Sequence, residues 1–390
     1  MSWDLPERGV VFWPVGNGDA ATIAVNDSTV LQVDINHRDA HDLDDDDRVP
    51  VVDRLLEVLP LNGDGDPYLS VLAITHHDLD HCSGFSRLCK SVAVNELWLT
   101  LRSFVEDKND LHDEGAAIYE EAMRRRDMEI DAHNKGKRAE VGDRLRVIGY
   151  ADLLEDEDWK SFPAELNTIP GNFLNVIDGV DREGDVEIFI HTPFRSDTED
   201  GSRNSSSLGL QVTLHAGDCS KSFLMLGDLE YQQVEAFVDR SKAAHAEQLE
   251  WDFLLAPHHC SRNAIRYKSG EGWEDARALA DLAAGARNGA RVVVSSRSFD
   301  SKSEDDTDPP HEDARDAYTG IVGKGNVLMT ADYENGSDSD PITIAVDDDA
   351  CGELRATSSF REKLTSVTVI PSSQVRPGDR SGARRDQEFA

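Results

Sequence analysis

The stretch VLAITHHDLDHCSGF, residues 71–85, places three His and two Asp within six positions directly after an apolar run. The run LSVLAIT has the pattern of a strand that is buried on both faces. Imidazole and carboxylate groups together suit divalent cations such as zinc, manganese or iron. A single His-rich turn is also compatible with a structural polar loop, so the rest of the chain has to separate the two interpretations.

Two further apolar strands end just as abruptly at Asp or His. The segment FLMLGD ends at Asp228, and the segment FLLAPHHCS carries His258 and His259. Residues at strand ends are held rigidly and can therefore preset a coordination geometry. Three such loops in one chain favour a metal site over a polar turn.

Composition limits the classes of partner. The 390 residues include 76 Asp and Glu against 40 Lys and Arg, which gives a formal net charge of -36. Such a chain repels polyanions on average, although a local groove or a bound dication reverses this locally.

The five cysteines are scattered without a CxxC pair, which predicts neither a disulfide framework nor a thiolate zinc site. With no signal-peptide pattern and no apolar run of ~18–20 residues, we expect a reduced, cytoplasmic protein without membrane association.

Strand and helix patterns alternate along the chain, which is typical of an α/β fold. We predict one domain over residues 1–360 and a partly disordered, polar segment over 361–390. A charged helical segment near 102–138, with MRRR and NKGKR, is predicted to be an insertion on the domain rather than part of its core. Its basic clusters are interpreted as a solvated helix face or as a patch that contacts phosphates.

The segment from Thr75 to His81, THHDLDH, resembles the metal signature Thr-His-x-His-x-Asp-His of the metallo-β-lactamase superfamily. Asp78 replaces the second signature His, as in the ComEC-like branch, which is named for a DNA-uptake protein. Further stretches resemble that branch in the same order along the chain: PVGNGDA at 14–20, the strand end at Asp34, NSSSLGLQV from Asn204, LGDLE with Asp228, and PHHCS at 257–261. The resemblance covers residues 9 to 346 and implies an αββα sandwich of two mixed β-sheets flanked by helices.

The resemblance also implies a site for two divalent metal ions, zinc or manganese. Its ligands would be His76 and Asp78 for the first metal, Asp80, His81 and His258 for the second, and Asp228 as the bridge. His259 is the alternative to His258, which is preferred on position alone. Many relatives supply another His to the first metal, whereas this chain has Asn204 in the matching region and His191 upstream. The first site is therefore expected to be weak, differently ligated or empty.

The remaining predicted roles follow from the same comparison. Asp80 and Asp228 are the predicted catalytic residues. The supporting or substrate-contacting residues are predicted to be Asp34, Asn204, His259 and Ser261. For Asp34, a strand-end cap is an equal alternative to a role in orienting a ligand His. For His259 and Ser261, contact with a phosphate oxygen stands beside a plain loop structure. A carboxylate in place of imidazole at Asp78 shifts the metal preference from zinc towards manganese or magnesium.

Two metals ~3.5–4 Å apart can hold a hydroxide and stabilise both the attacking and the leaving oxygen of an ester. The pKa of the bound water falls to roughly 7, which suits phosphodiester hydrolysis at neutral pH. We therefore expect a metal-dependent hydrolase, a phosphodiesterase or nuclease, with DNA or RNA as substrate by analogy to the family. The alternatives are hydrolysis of a small ester, lactone or nucleotide, and a non-catalytic partner module in which the metal is structural. The oligomeric state is left open.

Overall fold

The structure is a computed structural model that describes residues 4–37, 48–199, 202–270, 272–299, 308–333, 340–347 and 351–354. The predicted C-terminal segment, 361–390, lies outside these residues.

The described residues form strands and helices that alternate along most of the chain. The strands are β1 (Gly9–Phe12), β2 (Ala21–Asn26), β3 (Thr29–Val33), β4 (Tyr68–Ile74), β5 (Ala93–Thr100), β6 (Arg144–Ile148), β7 (Asn167–Thr168), β8 (Val176–Ile177), β9 (Val180–Asp181), β10 (Val186–Thr192), β11 (Gly209–Ala216), β12 (Cys219–Met225), β13 (Trp251–Leu255), β14 (Arg266–Ser269), β15 (Gly272–Asp275), β16 (Ala286–Val294), β17 (Val327–Met329), β18 (Ile342–Ala345) and β19 (Glu353–Leu354). The helices are α1 (Val51–Val58), α2 (Leu79–Cys82), α3 (Phe85–Ser91), α4 (Arg102–Val105), α5 (Asp113–Asn134), α6 (Arg195–Glu199), α7 (Tyr231–Ala244), α8 (Pro257–Cys260), α9 (Arg277–Gly285) and α10 (Glu312–Val322).

Two large sheets organise these strands. The first has the order β19-β18-β1-β2-β3-β4-β5-β6-β7, and the second has the order β10-β11-β12-β13-β16-β17. Both are mixed: neighbours from β3 to β7 and from β12 to β17 run parallel, and the other neighbours run antiparallel. The strands β8–β9 and β14–β15 form separate hairpins.

The main core lies between the two sheets. On β4, Val71 and Ala73 belong to this core, while Leu72 and Ile74 pack on the opposite face with the helices. This alternation follows from the two-residue repeat of a strand, and it explains why β4 reads as a continuous apolar run.

Helices cover the outer face of each sheet. Helices α1, α3 and α5 contribute buried apolar residues to the layer outside the first sheet, and α7, α9 and α10 do so outside the second. The order of layers is therefore helix, sheet, sheet, helix. The predicted αββα sandwich of two mixed sheets is confirmed.

The charged segment near 102–138 differs from its prediction as an insertion outside the core. It contains α4 and α5, which connect the parallel neighbours β5 and β6, and α5 buries Ile118 and Ala122 in the helix layer of the first sheet. Parallel strands need such a crossover connection. The sequence of this segment is polar for such a role because two of the buried residues of α5, Arg125 and Glu129, are charged. Their side chains bind backbone groups of the sheet.

The structure also contains a disulfide between Cys219 and Cys351, whose Cα atoms are 5.6 Å apart. This differs from the prediction of no disulfide. The two residues are separated by 132 positions in the sequence, so spacing alone could not pair them. None of the helices in the described part of the chain combines the length and the apolar character that a bilayer-spanning helix requires.

Removal of the buried guanidinium of Arg125 should destabilise the first sheet. Its nitrogens donate to the carbonyl oxygens of Arg144 at 3.0 Å and Val94 at 3.3 Å. We expect Arg125→Met to lower the free energy of unfolding by about 3 kcal/mol, because buried acceptors lose their donor. Lys135→Met, at an exposed ion pair at the C-terminal end of the same helix, should cost no more than about 0.5 kcal/mol. Urea denaturation measures both, and equal effects would contradict the role given to Arg125.

Candidate metal centre

The candidate metal ligands meet at one edge of the sandwich because of strand direction. Strands β3 and β4 are parallel, and so are β12 and β13. Asp34 and Thr75 directly follow β3 and β4, and Asp228 follows β12 after two residues. The loop with His258 and His259 follows β13 in the same way. The carboxyl ends of parallel strands are where α/β folds place their sites.

The Asp228 carboxylate lies at the middle of this edge and divides the ligands into two groups. Its Oδ1 lies 3.0 Å from Nε2 of His81 and 3.5 Å from Nε2 of His259. Its Oδ2 lies 3.7 Å from Nε2 of His76 and 3.6 Å from Nε2 of His258. One buried carboxylate thus faces a different pair of imidazoles with each oxygen.

The second group, at Oδ1 of Asp228, consists of Asp19, Asp80, His81 and His259. Nε2 of His259 lies 3.2 Å from both Oδ2 of Asp80 and Nε2 of His81. Ligand atoms of Asp19, His81, Asp228 and His259 all lie within 4.8 Å of one another, and these four residues are buried. The group therefore combines four buried His and carboxylate ligands with Asp80, whose side chain is 39% exposed.

The first group, at Oδ2 of Asp228, consists of His76, Asp78 and His258. Nε2 of His76 lies 3.6 Å from Oδ2 of Asp78. The His76 side chain is inaccessible to solvent, whereas Asp78 is one-third exposed. The Asp80 side chain in the second group is 39% exposed, so each group reaches solvent through one carboxylate.

The second group fits a divalent cation by the chemistry of its atoms, and the first group offers the same ligand types at separations of 3.6–3.7 Å. His76 Nε2 and Asp19 Oδ1 are buried polar atoms that make no hydrogen bond. Such an atom costs about 1–3 kcal/mol when nothing compensates it. A cation with bonds of ~2.0–2.2 Å holds neighbouring ligand atoms roughly 3–3.5 Å apart, close to the separations found here.

Asp34 orients His81 from behind. Its Oδ1 accepts a hydrogen bond from the Thr75 backbone N–H at 2.7 Å, and its Oδ2 accepts one from the Thr75 hydroxyl at 2.7 Å. The same Oδ2 lies 2.7 Å from Nδ1 of His81. An ionised Asp34 places the proton on Nδ1 and leaves the Nε2 lone pair directed at the centre. Asp34 therefore has contacts of both kinds expected from the sequence, a strand-end cap and a support for a ligand.

Asp19 stands behind His259 in a similar way, with Oδ1 3.6 Å from Nδ1 of that ring. Its backbone N–H donates to the Asp80 carbonyl at 3.1 Å, which joins its loop to the signature. A Cβ on Gly18 would lie 2.5 Å from that carbonyl oxygen, so only glycine fits there. Sequence reasoning assigned no role to Asp19. The available signal was an Asp just before β2, whose antiparallel pairing with β3 brings it to the same edge.

The backbone of the His-His loop directs its two rings to different oxygens of Asp228. His258 and His259 both have left-handed φ and ψ, and Cys260 has φ of 67°. The two ring planes lie at 82° to each other. His258 consequently lies with the first group and His259 with the second, whereas the sequence comparison preferred His258 for the second metal. The left-handed φ at Cys260 is a backbone conformation that favours glycine.

The predicted residue Asn204 begins a short 3-10 turn, Asn204–Ser206, next to the first group. The contacts to the centre come from its neighbours along the chain. Ser207 Oγ lies 3.3 Å from Nδ1 of His76 and accepts the backbone N–H of Asp228 at 3.4 Å. His191, the upstream alternative, is buried on β10, where its Nδ1 lies 3.3 Å from Ser241 Oγ.

Ser261 and His311 support the His-His loop. Ser261 Oγ accepts the backbone N–H of Asn263 at 3.3 Å, so it caps the next turn. Nδ1 of His311 accepts the backbone N–H of Arg262 at 3.2 Å, and the His311 backbone N–H donates to the Cys260 carbonyl. These contacts hold the loop in its left-handed conformation.

The electrostatics of the three buried rings differ. Burial lowers the pKa of His76 to about 4, so this ring is neutral at pH 7. Burial is the largest single effect on the pKa of His81 and of His259 and lowers both, but the carboxylates around each ring together outweigh it. Asp228 and Asp34 raise the pKa of His81 well above its ordinary value, and Asp228, Asp19 and Asp80 raise that of His259 to about 10. Without a cation, protons on these two rings balance the carboxylates.

The sequence matches no protein-family model, and no curated protein is significantly similar to it. Solved structures to which the chain is similar include a B3 metallo-β-lactamase with an active-site glutamic acid, at 11% identity, with 73% of this chain and 90% of that chain covered and a TM-score of 0.34. They also include a diphosphatase of the PhnP family, at 8% identity, with 88% and 100% covered and a TM-score of 0.36. A third is BJP-1, a subclass B3 metallo-β-lactamase of Bradyrhizobium japonicum, at 13% identity, with 65% and 79% covered and a TM-score of 0.28. At such scores, the chemistry of the site has to be argued from the residues of this chain.

Loss of the Asp34 carboxylate should weaken metal binding. We expect Asp34→Asn to lower the affinity for Mn²⁺ or Zn²⁺ by about 10–100-fold, because the His81 ring loses its orienting partner. Asp178→Asn is the matched control: Asp178 also has φ of 55° and accepts from the hydroxyl of Tyr68, at the opposite end of β4. Isothermal titration calorimetry measures both variants. Equal losses of affinity would contradict a specific role for Asp34.

Metal affinity should rise with pH. The raised pKa values of His81 and His259 mean that both rings carry protons at pH 6–8, and a cation has to displace them. Each displaced proton should change the affinity by about tenfold per pH unit. Calorimetry in two buffers with different ionisation enthalpies counts the protons released. A constant affinity without proton release would contradict this charge balance.

Proposed function

We propose that the protein is a metal-dependent hydrolase that cleaves phosphodiester bonds at a dinuclear centre. The observation that carries the proposal is the position of Asp228, whose two oxygens face two separate groups of His and carboxylate ligands. A bridging carboxylate between two ligand groups is the arrangement that a two-metal site needs.

The ligand set suits phosphoryl chemistry. Two divalent cations, when bound, supply Lewis acidity, a nucleophile at neutral pH, and stabilisation of the entering and leaving oxygens. In this chain, Asp228 would hold both cations, and Asp34 would keep the Nε2 of His81 free to bind. Four carboxylates, Asp19, Asp78, Asp80 and Asp228, make the centre rich in oxygen, which favours manganese over zinc as the working metal.

We also propose that the chain belongs to the metallo-β-lactamase superfamily, in a ComEC-like branch. The support is the ordered set of motifs together with the αββα layers and the position of those motifs at one edge. A polar turn without function would not need Asp228, from a different sheet, to lie between His76 and His81.

The charge of the chain disfavours long duplex DNA as the substrate. The net charge of -36 repels long polyanions. The arginines of the MRRR cluster are already engaged: Arg124 pairs with Glu121 and Asp143, Arg125 is buried, and Arg126 pairs with Asp127. These observations favour a short or single-stranded nucleic acid, or a nucleotide with a phosphodiester bond, as substrate.

The Asp228→Asn substitution should lower phosphodiesterase activity at least about 100-fold, because the neutral amide cannot bridge two cations. The assay is hydrolysis of bis(4-nitrophenyl) phosphate, single- and double-stranded DNA and RNA, with manganese or zinc added. His133→Asn is the control, since His133 is exposed on α5 outside the metal centre. The control should retain wild-type rates.

Two results would contradict the proposal. One is a metal-loaded wild-type protein that cleaves none of these phosphodiesters. The other is cleavage that is unchanged in Asp228→Asn, which would point to a contaminating enzyme. Hydrolysis of a lactone or carboxyl ester in place of phosphodiesters would support the small-ester alternative.

A further inference from the structure

A partly buried network of ion pairs connects the first group to the segment between β5 and β6. Nη1 of Arg203 donates to Oδ1 of Asp78 at 2.8 Å. Nε of the same guanidinium donates to Oε1 of Glu106 at 2.9 Å, and its Nη2 bonds to the same oxygen. Arg203 thus joins a candidate metal ligand to a carboxylate on the crossover segment.

Glu106 is held firmly from its other side. Its Oε2 lies 2.8 Å from Nε2 of His77, the neighbour of the first-group ligand His76, and 3.3 Å from Nε of Arg102. Its side chain is only 10% exposed. Burial raises the pKa of Glu106, but the contacts with Arg203 and His77 outweigh it and lower the pKa to about 2. The carboxylate is therefore ionised at neutral pH.

Arg203 and a first-group cation share Asp78 as their partner. Oδ1 of Asp78 binds the guanidinium, while Oδ2 is directed at Nε2 of His76. The guanidinium contributes a positive charge next to the first group, and Glu106 contributes a negative charge immediately behind it.

We infer that Arg203 and Glu106 are opposed positioning residues that set the affinity of the first group for its cation, Arg203 by weakening it and Glu106 by strengthening it. This inference rests on the proposed dinuclear centre. Its physical basis is Coulombic: the guanidinium repels a dication and competes for Asp78, while Glu106 neutralises the guanidinium. The second group, on the far oxygen of Asp228, makes no contact with either residue within the described structure and should respond much less.

The test is a calorimetric titration of the metal-free protein with Mn²⁺, with the bound metal counted by mass spectrometry. Wild type should bind one ion tightly and a second one more weakly. Arg203→Met should tighten the weaker ion about tenfold, and Glu106→Gln should weaken it about tenfold. Because both residues are partly solvated, each effect should shrink in 0.5 M salt.

Two controls separate charge from structure. Arg203→Lys keeps the positive charge but not the forked geometry of the guanidinium, so it should change the affinity for the weaker ion less than Arg203→Met does. Arg102→Met removes a partner of Glu106 that does not touch Asp78, and it should leave both ions bound with near wild-type affinity. Urea denaturation of every variant shows whether it is folded before titration.

The outcomes are distinct. Shifts of opposite sign in Arg203→Met and Glu106→Gln support the inference, because a purely structural role would weaken binding in both variants. Equal shifts, or an unchanged weaker ion beside an intact tight one, overturn the inference but leave the proposed centre standing. A wild-type protein that binds no ion at either group overturns both.

Discussion

The buried carboxylate of Asp228, with imidazole nitrogens on both sides, is the constraint on which the rest of the site depends. Four histidine Nε2 atoms lie 3.0–3.7 Å from its two oxygens. An isolated charge at such depth is costly and has to be balanced. Protons on His81 and His259 supply the balance when no cation is bound, and a cation on either oxygen would replace them. The loops that carry these residues therefore have to be held in place both when protons balance the charge and when a cation does.

Several residues in the loops around Asp228 have strained backbone conformations. Asp34, His258, His259 and Cys260 all have positive φ, which costs of order 1–3 kcal/mol for each such residue. Side-chain contacts to the backbone, from Asp34 to Thr75 and from His311 to Arg262, hold this strain in place. Strain that is supported in this way is typical of sites where geometry serves function rather than stability.

Sequence patterns predicted the alternation of strands and helices and the strand ends that carry the candidate ligands, because a two-residue repeat and a polar strand end are local signals. The αββα layers were expected from the resemblance of the ordered motifs. Three features of the site and the fold could be recognised only in the three-dimensional structure. The direction in which His258 and His259 point depends on consecutive left-handed residues, which no local pattern reveals. Asp19 reaches the centre only through the pairing of β2 with β3. Arg125 and Glu129 are buried as backbone partners, so α5 looked like a surface helix although it is a crossover of the sheet.

The two ligand groups differ in a way that separates the functional alternatives. In the second group, His81 and His259 are almost fully buried, and both have a carboxylate behind Nδ1. Such a group would hold an ion as part of the fold. In the first group, His258 is 19% exposed and Asp78 is shared with the competing cation Arg203, so an ion there would exchange more readily. A chain with an ion only in the second group would be a partner module with a structural metal, whereas filling of the first group would create the pair of cations that hydrolysis needs. The choice between enzyme and partner module therefore reduces to the charge balance around Asp78.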